Sequence, residues 1–232
     1  MRLNRNKGQI LILMAVTLMS ILLITTLAAV RTFKPISRDP EAAILLIKSQ
    51  TRRAVLNSLA ISSLSADTDA SKFRESLQLQ FRNIAAANSG VSIGVSDIQS
   101  LQFSWSGQNQ GTTTATVKLR IVQSQYKLDW VETHSLTLQL RVDALQRRPL
   151  EQFVRLDLNA TLLMNGGPSL MKNPKVMING TISYPCTISR NFGNGMYGLT
   201  VTVPLWTSAT FTLIATDENG IRSECVFVPP PQ

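Results

Sequence analysis

Negative charge is scarce in this chain, with 14 Asp and Glu among 232 residues against 23 Lys and Arg. The acids do not cluster at the spacing of paired carboxylates, which argues against glycoside and metal-assisted chemistry. Histidine occurs once, at His134, and cysteine twice, at Cys186 and Cys225. A metal site needs three or four ligands, and this donor set does not supply them. Asp129 and Asp143 lie near His134 in sequence, yet no G-x-S-x-G elbow accompanies them. No catalytic residue, cofactor, metal or small-molecule substrate is therefore expected. Aromatic residues make up only 6% of the chain and do not interleave with the basic ones, so no nucleic-acid partner is expected despite the net charge of +9. The string Gly193-Asn-Gly195-Met-Tyr-Gly198 matches a dinucleotide fingerprint in letters only, because a strand over Leu199 to Val203 follows it where a helix is required. Charged residues total 16%, while Ser, Thr, Asn and Gln abound and apolar residues recur throughout. That balance suits a folded extracytoplasmic surface rather than a disordered chain.

The longest apolar run, Ile10 to Val30, carries no charge, Gly or Pro. At about 21 residues it matches the length of a helix that spans a hydrocarbon core. Each Leu, Ile or Val contributes roughly −0.4 kcal/mol, so together they favour insertion by about 5 kcal/mol. A soluble helix of that length would show a polar face, and this one does not. Arg2, Arg5 and Lys7 precede the run, while Arg31, Lys34 and Arg38 follow it. Both flanks are positive, but Asp39 and Glu41 dilute the second, and a large body translocates regardless of its own charge. The amino end is read as inside and the body as outside, with the lipid bilayer as first partner. A cleaved secretory signal ending before Ala29 is the rival reading.

Lys7-Gly8-Gln9-Ile10-Leu11, a basic leader ending in Gly directly before the apolar run, resembles the class III signal of archaeal type IV pilin-like proteins. That resemblance implies cleavage between Gly8 and Gln9, with the apolar helix kept as an assembly stalk. It covers residues 1 to about 30. The chain departs from the pilin pattern in two ways: Leu13 stands where many pilins have Glu, and Pro35 and Pro40 interrupt the stalk.

Asp39-Pro40-Glu41 is a helix start, with a capping carboxylate, Pro at the first position and acid in the first turn. The helix is expected to run to Leu64, with Leu45, Val55, Leu56, Leu59 and Ile61 on its apolar side. A second helix is expected over Ala70 to Ala87, where Phe73, Leu77, Phe81 and Ile84 form one buried stripe and Asn88-Ser-Gly90 ends it. The period then changes to two. Strands are expected over Ile98 to Trp105, over Thr113 to Gln125, and at Leu136 to Val142, with a turn at Gly107 to Gly111. Gln146-Arg-Arg-Pro149 reads as a linker, and five or more short strands follow it. Asp217-Glu-Asn219-Gly220 signals a hairpin between the last two.

Gly195-Met-Tyr197-Gly-Leu-Thr200-Val and Ala215-Thr-Asp217-Glu-Asn-Gly220-Ile resemble small immunoglobulin-like modules of prokaryotic surface proteins, without the Cys…Trp…Cys spacing of antibody domains. In an exported body Cys186 and Cys225 can form a disulfide closing a loop of about 39 residues, worth about 4 kcal/mol on the chain-entropy model. Two reduced core thiols are the alternative. Asn159-Ala-Thr161 and Asn179-Gly-Thr181 are permitted glycosylation sites.

The expected fold class is α+β: an N-terminal transmembrane helix, a two-helix plus antiparallel-sheet domain, then an all-β immunoglobulin-like sandwich. Its bounds are a leader at 1–8, a span at 9–33, a hinge at 34–40, an α+β domain at 41–146 and a sandwich at 150–232. The expected role is a membrane-anchored structural or adhesive surface protein that contacts copies of itself or other surface proteins through loops such as Asn191 to Gly198. A non-polymerising binding module of an envelope or secretion complex is the alternative, and a hydrolase with an unrecognised site is a third.

Overall fold

The computed structural model of the chain describes residues 40–204 and 209–228. The leader, the span, the processing pair Gly8 and Gln9, and the hinge with its Asp39 cap lie outside the described residues. Among the described residues, no helix is long and apolar enough to cross a membrane.

Among the described residues two helices come first, α1 (Pro40–Ser65) and α2 (Ala70–Ala87). Asp69 caps α2 by accepting from Ser71 N at 2.8 Å and Ser71 Oγ at 2.6 Å. The expected α2 stripe is present: Phe73, Leu77 and Phe81 are buried and Ile84 packs beside them. The α1 stripe is not the expected one. Val55 and Leu59 are buried, but Leu45 and Ile61 are exposed. The buried side instead runs through Ile47, Thr51, Ala54, Ser58, Ser62 and Ser63. Small and hydroxyl side chains let a helix lie close to a sheet, and a hydrophobic pattern does not reveal them.

Among the described residues eleven strands follow: β1 (Val91–Ser104), β2 (Gln110–Gln123), β3 (Leu128–Pro149), β4 (Phe153–Met164), β5 (Gly167–Pro168), β6 (Lys172–Ile178), β7 (Ile182–Pro185), β8 (Thr187–Gly193), β9 (Met196–Pro204), β10 (Phe211–Thr216) and β11 (Arg222–Phe227). One sheet has the order β1-β2-β3-β4-β9-β8, with β5 paired to β4, and the other has the order β11-β10-β6-β7. Every strand pair is antiparallel.

The expected fold class is corrected here. The described chain is mostly antiparallel β-sheet, β-sandwich-like, with two helices, and everything from Leu45 onward is one compact unit. An α+β domain and a separate sandwich do not exist as independent bodies. The reason lies in β3, which is 22 residues long. Its first part pairs with β2, from Leu128↔Gln123 to Arg141↔Gln110, and its last part pairs with β4, from Leu138↔Met164 to Pro149↔Val154. Gln146 to Pro149, expected as a linker, is therefore strand within the larger sheet. The inward rows of the two sheets, including Leu119, Leu140, Leu156, Val201, Leu213 and Phe227, belong to one core.

The outer edge of β11 is closed by elements far away in sequence. Thr113 Oγ1 donates to Arg222 O at 2.7 Å, and Asn109 N donates to Val226 O at 2.7 Å. Arg222 N donates to Oγ of Ser63, which is fully buried on α1, at 2.9 Å. Gly111 lies so close to the Glu224 carbonyl oxygen that an added Cβ would overlap it. The absent side chain lets β11 cross the start of β2. An edge that would otherwise offer unpaired N–H and C=O groups is thereby covered.

Candidate interaction surface

The β8–β9 hairpin carries the most distinctive exposed chemistry. All seven residues of β8 are exposed, and Phe192 and Met196 remain 48% and 40% accessible. The Arg190 guanidinium lies 5.5 Å from the Phe192 ring centroid, within cation–π range. Gly198, on the neighbouring strand, forms the seat beneath this pair: a Cβ added there would sit 3.4 Å from both Phe192 Cε2 and Arg190 Cβ.

The hairpin is held in place from behind. Its turn takes positive φ at Gly193, Asn194 and Gly195, and Asn191 Oδ1 accepts from Gly193 N at 3.0 Å. Gly195 O accepts from Leu162 N at 2.9 Å, and a side chain at Gly195 would meet Leu162 O at 2.5 Å. Tyr197, buried at the start of β9, donates its hydroxyl to Ser169 O at 2.8 Å and accepts from Met171 N at 3.2 Å. Glu218 then fixes that segment, its Oε2 accepting from Ser169 Oγ and Leu170 N, both at 2.8 Å. The result is a fixed ledge with two apolar side chains and a stacked cation.

Strand β8 is irregular, with register shifts between Ile188 and Arg190 and between Asn191 and Gly193. Such bulges blunt an edge against strand addition, so what this edge exposes is side chains rather than a regular row of backbone groups. The expected contact segment Asn191 to Gly198 contains Phe192 and Met196 of this ledge and leaves out Arg190. Its signal was available, since residues 190 and 192 fall on one face at period two.

The other singled-out residues lie elsewhere. Asn159 is exposed on β4, paired with Gly198 beside the ledge. Asn179 occupies a turn at φ 50°, its Oδ1 accepting from Thr210 N at 2.9 Å. Cys186 and Cys225 are free thiols, which corrects the expected disulfide. Cys186 follows the outermost strand β7, while Cys225 is buried on β11 at the opposite edge of that sheet. Burial pushes the Cys186 thiol up to about 12 and that of Cys225 up to about 11. His134 is buried on β3 against α1, with Nε2 3.1 Å from Thr51 Oγ1. Thr51 donates its own hydroxyl proton to Lys48 O at 2.9 Å, so Nε2 carries the hydrogen that Thr51 accepts. Burial lowers the pKa of His134; Glu132 opposes this, and Arg52 and Lys48 add to it. The position is that of a packed core histidine. Among the described residues, no group of three or more His, Cys, Asp or Glu side chains is placed to hold a metal.

Comparison with protein-family models, with curated proteins and with solved structures finds no match to this chain.

Proposed function

We propose that this chain is a single-span, membrane-anchored extracytoplasmic protein with a structural or adhesive role, and that it is not an enzyme. The apolar run Ile10–Val30 supports anchoring, and the class III-like leader supports a pilin-like origin in which processing leaves Gln9 first. The β-sandwich-like body suits an immunoglobulin-like module used as a spacer or adhesive platform, as fold alone allows either use. The observation that carries the reading is the ledge: a solvent-facing Phe and Met, with Arg stacked on the ring, on a backbone fixed at both ends. Rigid aromatic and Arg anchors of this kind dominate binding energy where proteins meet.

Mass spectrometry of the native amino terminus tests the anchor. A chain beginning at Gln9 fits pilin-like processing, one at Met1 fits a plain anchor, and one at Ala29 refutes both. Electron microscopy of sheared surface material separates a filament subunit from a non-polymerising module. Cells carrying Phe192→Ala with Met196→Ala should keep normal protein levels in the membrane fraction and lose filaments or surface attachment. Retention of both properties refutes the ledge.

A further inference from the structure

The exposed face of the first turns of α1 combines two features that the core does not explain. Leu45 and Leu46 are 65% and 51% accessible, and Lys48, Arg52 and Arg53, all exposed, follow within two turns. At about 100° per residue, Leu45, Leu46, Ser49, Arg52 and Arg53 fall on one side of the helix, with Lys48 at its margin. From Ala42 to Ser65 the helix has these three cations and no acid. None of the three joins an ion pair recorded among the described residues. Exposed leucines flanked by long cationic side chains match an interfacial helix: the leucines dip to the acyl boundary and the cations reach the phosphates.

Chain length points to the same occupant. Residues 31–39 separate the apolar run from α1, and nine residues span at most about 30 Å. If the run sits in the bilayer, this tether keeps α1 within reach of the membrane surface at an effective concentration of order millimolar. A weak interfacial preference is then enough. The tether adds Arg31, Lys34 and Arg38, of the same sign as the α1 cations.

We infer that the Leu45–Arg53 face of α1 docks on the anionic headgroup surface of the membrane that holds the chain. The inference rests on the anchoring proposed above. Docking would lay the first turns of α1 along the lipid and fix the body's orientation relative to it.

The test uses the full chain in vesicles of phosphatidylcholine, with and without phosphatidylglycerol. A spin label at Leu46→Cys, in a Cys186→Ser, Cys225→Ala background, reports collisions with a water-soluble nickel reagent. Accessibility should fall several-fold only with phosphatidylglycerol, and should recover when Lys48, Arg52 and Arg53 are changed to Gln. A label equally exposed in both vesicles overturns the inference. So does shielding in detergent that grows with protein concentration, which would make a second copy the occupant. If the cysteine-free chain does not fold, Leu46→Trp with brominated lipids replaces it: extra quenching over the unsubstituted chain with phosphatidylglycerol supports docking, and none overturns it. Carbonate extraction separates the two failures. Release of the chain removes the anchor and this inference together, whereas retention with an exposed label removes this inference alone.

Discussion

Gly111→Ala is the sharpest probe of how the sheets are joined. The added methyl would overlap the Glu224 carbonyl oxygen, and a backbone atom cannot swing aside as a side chain can. Strand β11 must then lift from β2, which lengthens the Thr113–Arg222 and Asn109–Val226 hydrogen bonds, both 2.7 Å in the native chain. It also disturbs the Arg222 guanidinium, which lies 5.5 Å from the centroid of Trp105. Overpacking costs about 1–3 kcal/mol and each weakened hydrogen bond about 1 kcal/mol, so the variant should lose about 3–5 kcal/mol. For a body of this size that corresponds to a fall in Tm of about 6–20 °C. Urea unfolding of the full chain in mild detergent, followed by tryptophan fluorescence, measures it. The internal control is Gly94→Ala: Gly94 lies on β1, with open space where a Cβ would go. That change should be neutral or stabilise by about 0.4–1 kcal/mol through the unfolded chain. If Gly111→Ala unfolds within about 0.5 kcal/mol of the native chain, the close crossing of β11 over β2 is wrong.

Ser63→Ala should cost about 1–3 kcal/mol in the same assay, because it leaves the partly buried Arg222 N–H without its acceptor; a neutral result would mean that water reaches this site. His134 has a lowered folded pKa, so below its ordinary value of 6.5 the unfolded chain binds more protons than the folded one. Stability should therefore hold above that pH and fall as the solution is acidified through it, and His134→Gln should flatten the dependence; an unchanged slope would assign it to another group. With both thiols pushed up by burial, native chain at pH 8 should react slowly with a thiol reagent at Cys186 and hardly at all at Cys225, and quickly at both in urea. Rapid native labelling of Cys225 would contradict its position on β11.

The helices were the most legible elements. Pro40–Ser65 and Ala70–Ala87 agree closely with the ranges read from capping and period, because those signals are local. Strand β3 was cut short at Val142 for a physical reason. A bulge between Val142 and Ala144 moves the inward row from even to odd positions, so Leu145 packs on the core where alternation from Val142 would place Ala144. The break in alternation resembled the end of a strand, and the basic residues after it resembled a linker. Strands β7 and β8 were illegible because neither buries a row of apolar residues. Gly111 was read as the end of a turn, and no local pattern reports a backbone crossing from residue 224. The Asp217 to Gly220 hairpin was legible, yet only Gly220 takes positive φ, while the Asp217 carboxylate organises the loop by accepting from Asn219 N and Ile221 N.

Strand β11 supplies partners to β2, to β10 and to Ser63, the last across 159 positions of sequence. The core therefore cannot close before Arg222 to Phe227 have been synthesised. Until then β2, β10 and Ser63 of α1 lack the strand that joins them.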